Sequence, residues 1–164
     1  MQSGDIGFAR TNGFYGHLIR LGEWLKLRKS EWNHMFIVDC PALGGDWYLI
    51  QATLQGVTHS GLLSEIKGSY ITMAPPCDRE KVLQFARKQV GTRYSFLTIL
   101  SIAFDILSWN WVPSLMNSYR PSWICSGLAC ESLRYGGWLH EWTNVYLVTP
   151  QQAYDILVAV PVKD

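Results

Sequence analysis

The chain has 164 residues, 48% of them hydrophobic and 16% charged, with a formal net charge of +1. That length suits one domain, residues 1–164, and the apolar share excludes a disordered tail. So even a charge balance, with no regular interleaving of basic and aromatic residues, excludes a general affinity for nucleic acid.

The opening residues, MQSGDIGFAR, lack a basic segment followed by an apolar run and a small-residue cleavage site. They do not read as a signal peptide, and the expectation is a cytoplasmic or virion-associated protein. Gly4 to Phe8, GDIGF, predicts a short strand after a turn. Phe14 to Leu27 carries Phe14, Leu18, Leu21 and Leu25 at helical spacing, with Arg20, Glu23 and Lys26 for the wet side. Met35 to Val38 is an apolar run and a strand candidate. Gly44-Gly45-Asp46 marks a turn, and Trp47 to Ala52 is the next strand, so the two should form an antiparallel hairpin.

Val57 to Ile71 reads as short strand-like pieces and a polar loop. Pro75-Pro76 interrupts, and Asp78 caps a helix from Arg79 to Val90 that ends at Gly91. Ser95 to Trp111 is strongly apolar, but it is shorter than the ~20 residues a membrane span needs, and Asp105 interrupts it. It suits a buried helix, or contact with a membrane or lipid. Ser122 should cap a helix from Trp123 to Tyr135, closed by Gly136-Gly137. Val145 to Val148 predicts a strand, Thr149-Pro150 opens a helix through Tyr154, and Leu157 to Val160 predicts a closing strand. Strands adjacent in sequence, mixed with helices, give an α+β fold around a small antiparallel sheet.

The cysteines Cys40, Cys77, Cys125 and Cys130 show no CxxC spacing. Neither a metal site nor a disulfide framework is expected, and reduced thiols are the default. Cys125 falls in the first turn of its helix, where unpartnered backbone N–H groups and the helix dipole favour a thiolate. The same residue, set among Trp, Ile, Leu and Ala, also fits a small buried hydrophobe, and this stretch taken alone favours that reading. Four histidines are available as bases: His17, His34, His59 and His140. His34 stands at the mouth of an apolar strand, where its ring position is fixed. His17 belongs to the amphipathic helix, His59 to a polar turn, VTHSG, and His140 follows the Gly-Gly turn. Gln51, on the neighbouring strand of the hairpin, offers an amide oxygen that can orient a histidine ring.

Taken in order, GDIGF, WNHMFIV, LIQATLQGV, ARKQVGTRYSF, WICSGLACESL and VTPQQAYD resemble the circularly permuted branch of the NlpC-type papain-like peptidases, the YiiX-like proteins. The resemblance spans almost the whole chain. It implies a papain-like α+β fold with Cys125 as nucleophile, His34 as base and Gln51 as the residue orienting His34. It also implies an acyl-enzyme thioester and no metal or organic cofactor. Tyr94 and Trp123 become candidate substrate-binding residues of the cleft, though both also suit a core. The sequence departs from the family at Gln51, usually Glu; at Ser95, usually Asp; and at Gly127, usually Glu. The first departure removes a negative charge beside His34.

The expected activity is that of a cysteine hydrolase, an amidase or endopeptidase acting on bacterial cell-wall peptide amides. Lipid-directed acyl transfer is one alternative. A non-catalytic papain-like module in a larger assembly, such as a phage particle, is another.

Overall fold

A computed structural model describes residues 1–11, 30–94, 122–138, 145 and 148–159. The expected helices at Phe14 to Leu27 and along the apolar Ser95 to Trp111 segment lie outside the described residues, as do His17 and His140. No helix among the described residues is long and apolar enough to cross a membrane.

Five strands form one antiparallel sheet: β1 (Ile6–Thr11), β2 (His34–Pro41), β3 (Trp47–Thr53), β4 (Gly56–Leu62) and β5 (Gly68–Met73), in spatial order β4-β3-β2-β1-β5. The expected hairpin is β2–β3, with Ile37 opposite Ile50 and Val38 opposite Leu49. Alternation along β2 sends Met35 and Ile37 to one face and Phe36 and Val38 to the other. Both faces are covered, which is why the strand reads as an unbroken apolar run. On the first face Ile6, Phe8, Met35, Ile37, Ile50 and Ala52 join the main core. On the second, Ala9, Phe36, Val38, Leu49 and Leu63 form a smaller cluster.

Three helices among the described residues complete the α+β arrangement: α1 (Arg79–Lys88), α2 (Cys125–Tyr135) and α3 (Pro150–Ala159). Val82, Leu83 and Ala86 of α1, Leu128, Ala129 and Leu133 of α2, and Ala153 and Leu157 of α3 all enter the main core. Asp78 caps α1 as expected, accepting from the N–H groups of Glu80 and Lys81. α3 opens on a reciprocal cap: the Thr149 hydroxyl accepts from Gln152 N at 3.2 Å, and the Gln152 amide oxygen accepts from Thr149 N at 3.0 Å.

Four expectations need correction. Ser122 does not cap α2. Ser122–Trp123 is a two-residue strand, β7, paired in parallel with β6 (Arg93–Tyr94). Ile124 takes the cap position instead, so pairing with a distant strand overrides the local capping preference of serine. Leu157 does not begin a strand. It belongs to α3, where Ala153 and Leu157, four residues apart, bury one helical face. His59 lies in strand β4 rather than in a turn. Val145 and Val148 are buried but belong to no strand.

Candidate active site

Three elements converge where β2 begins. Asn33, buried just before the strand, fixes that end. Its amide oxygen accepts from Thr11 N at 2.9 Å and from the Thr11 hydroxyl at 3.0 Å, and its amide nitrogen donates to Thr11 O at 2.8 Å. Gln151 of α3 holds the preceding residues by accepting from the N–H groups of Glu31 at 2.8 Å and Trp32 at 3.2 Å. His34 follows, paired with Ala9 of β1.

Continuing the β2–β3 register by one residue puts Gln51 opposite Phe36. His34 and Gln51 are therefore diagonal neighbours on one face of the sheet, within reach of long side chains. Their side chains meet: His34 Nε2 and Gln51 Oε1 are 2.8 Å apart. Because an amide oxygen only accepts, Nε2 carries the proton and donates. That leaves Nδ1 for the thiol of Cys125, which lies near enough to perturb the ring.

Cys125 is the first residue of α2, and Ile124 before it offers no side-chain cap. The amides at the start of this 11-residue helix are thus left to the sulfur rather than to a serine hydroxyl. Burial alone pushes the Cys125 thiol up. The hydrogen bond and charge of His34, with backbone N–H groups of Met35 and Ser126, outweigh it and bring the thiol below its ordinary value. For His34 burial pulls down, while Cys125 first and Gln51 after it push the ring above the ordinary imidazole value. Both shifts favour transfer of the thiol proton to the imidazole.

The other three thiols shift the opposite way. Burial, and then Asp39, raise Cys40; burial, and then Asp78, push Cys77 up to about 11; burial, and then the charge on Cys125, raise Cys130. Cys125 is the one cysteine of the four whose thiol is brought down rather than up.

The structure thus brings together Cys125, His34 and Gln51. Trp123 is a core residue: it is buried, its Nε1 donates to Gln89 Oε1 at 2.9 Å, and its ring meets Phe85 edge-on. Tyr94 is partly buried and packs against the main core.

Two supporting residues went unnoticed in the sequence. One is Asn33. The other is Gly61, where a Cβ would stand 2.4 Å from Gln51 Nε2. A glycine within a strand signals such close approach, so Gly61 was findable. Asn33 carried no comparable signal.

No protein-family model matches the chain, and comparison with curated proteins finds no relative.

Proposed function

We propose that the chain is a cysteine hydrolase with a papain-like fold in permuted order, with histidine and orienting amide ahead of the nucleophile. The observation that carries this reading is the His34 ring held between Gln51 Oε1 and the Cys125 thiol, at a helix start that lacks a side-chain cap.

In this reading the Cys125 thiolate attacks a carbonyl carbon. The C–S bond forms, and the carbonyl electron pair moves onto oxygen, where the N–H of Cys125 helps hold it. The His34 imidazolium gives its Nδ1 proton to the leaving nitrogen as the C–N bond breaks. His34, now neutral, takes a proton from water. The water oxygen attacks the thioester, and the thiolate leaves, restoring the pair. Gln51 holds the ring through Nε2 without adding charge. The resemblance to NlpC-type peptidases favours a cell-wall peptide amide as substrate.

The test is to incubate the protein with cell-wall stem peptides and, separately, with fatty-acyl esters, and to look for a covalent acyl adduct and released product by mass spectrometry. An adduct on Cys125 with stem peptides, absent from Cys125→Ala, supports the reading. An adduct only with acyl esters moves the substrate to lipid. No adduct with either, in folded protein with an ordinary Cys125 thiol, contradicts it.

A further inference from the structure

A second cluster of chemically able side chains lies on the same sheet and has no part in the proposed reaction. Asp39, Cys40 and His59 each offer one donor atom, an oxygen, a sulfur and a nitrogen, all within 4.8 Å of one another. No two of these residues lie in a recognisable ligand spacing, and β2 and β4 that carry them are separated by β3.

Two irregularities in the sheet create the cluster. Between the pairs Val38–Leu49 and Pro41–Trp47, β2 advances three residues while β3 advances two. The extra residue falls at Asp39 or Cys40. Between the pairs Leu49–Gly61 and Gln51–Thr58, β4 advances three while β3 advances two, with the extra residue at His59 or Ser60. In a regular strand Asp39 and Cys40 would project to opposite faces. A bulge lifts that restriction and re-aims side chains, as bulges do near functional sites.

The surroundings suit a cation. Asp39 is buried, and its two oxygens are used differently. Oδ1 accepts from Arg87 Nε at 2.8 Å and faces Nη2 at 2.7 Å. Oδ2 meets His59 Nε2. Arg87 therefore holds the carboxylate by one oxygen and leaves the other turned toward the histidine, the way an outer hydrogen bond orients a metal-binding carboxylate. His59 is exposed and Cys40 partly so, giving an ion a path in and its fourth position to solvent. Bonds of about 2.0–2.3 Å at tetrahedral angles set ligand atoms roughly 3.3–3.8 Å apart. The three donor atoms already lie within 4.8 Å of one another, and the exposed His59 ring is the member that would adjust to an ion.

We propose that Asp39 Oδ2, Cys40 Sγ and His59 Nε2 form a binding site for a divalent transition metal of the zinc class, with Arg87 orienting the carboxylate. A mixed oxygen, nitrogen and sulfur set is the donor chemistry of such ions rather than of magnesium or calcium. Binding displaces the Cys40 proton, so metal uptake releases a proton. The site is independent of the hydrolase reading.

The test separates this site from Cys125 and His34, which are themselves able to ligate a metal. Cobalt(II) is added to the Cys125→Ala protein, and thiolate-to-cobalt charge-transfer absorption is followed; zinc(II) competes it away. The expected result is one equivalent bound, loss of the band in Cys125→Ala/Cys40→Ser, and affinity weakened about ten-fold or more in Cys125→Ala/His59→Gln. As a check that needs no variant, zinc should slow alkylation of Cys40 in the unaltered chain, read cysteine by cysteine. A cobalt band that survives Cys40→Ser, or zinc that leaves Cys40 alkylation unchanged, overturns the proposal.

Discussion

Replacing Gln51 with alanine isolates the contribution of the amide that holds the His34 ring. The substitution removes the acceptor 2.8 Å from His34 Nε2 and leaves Cys125 and the helix start untouched. A hydrogen bond to a charged group contributes about 1.5–3 kcal/mol, against about 1 kcal/mol for a neutral pair. Loss of the acceptor therefore disfavours the imidazolium over the neutral ring by about 0.5–2 kcal/mol, a factor of about 2–30 in the proton-transfer equilibrium. The ion pair can be counted by the far-ultraviolet thiolate absorbance that disappears on Cys125→Ser. In Gln51→Ala, the midpoint at which that absorbance appears should move toward the ordinary thiol range as pH is raised. Gln51→Glu should move it the other way, because a carboxylate adds attraction for the imidazolium. An unchanged midpoint in folded Gln51→Ala would refute the orienting role of this residue.

Other consequences can be measured alongside. Gly61→Ala should shift the thiolate midpoint in the same direction as Gln51→Ala, since its Cβ would stand 2.4 Å from Gln51 Nε2; in a Gln51→Ala background the effect should vanish, as shared contacts predict. Hydrolysis should follow a bell in pH: it rises as Cys125 deprotonates below the ordinary thiol range and falls as His34 loses its proton above the ordinary imidazole range. Asn33→Leu strands the Thr11 N–H and C=O at the mouth of β2, so urea midpoints should show a loss of about 2–4 kcal/mol, with His34 less well placed. Gly7→Ala would drive a Cβ to 2.0 Å from the Phe36 ring, and overpacking of this kind should cost about 1–3 kcal/mol in the same assay.

The sequence exposed those features that local chemistry decides. Apolar runs flanked by turn residues marked the β2–β3 hairpin, and with it the proximity of His34 and Gln51. The Asp78 cap was legible because a carboxylate before a helical pattern has few other uses. Features decided by distant partners were hidden. Ser122 looked like a cap, but pairing of Arg93 with Ser122 drew it into a strand and moved the helix start to Cys125. Leu157 looked like a strand residue because Leu, Val and Ile suit both states, and only burial of Ala153 and Leu157 on one helical face separates them. The bulges that gather Asp39, Cys40 and His59 depend on counting residues across paired strands, which no single segment reveals.

The measurement that bears most directly on the central claim is the alkylation rate of each cysteine against pH, by mass spectrometry, in the unaltered protein and in His34→Ala. The account predicts that Cys125 reacts well below the ordinary thiol pKa of about 8.5, that Cys40, Cys77 and Cys130 do not, and that His34→Ala removes the difference. A Cys125 as slow as the other three in folded protein would contradict it, and the converged geometry of Cys125, His34 and Gln51 would then be packing without chemistry.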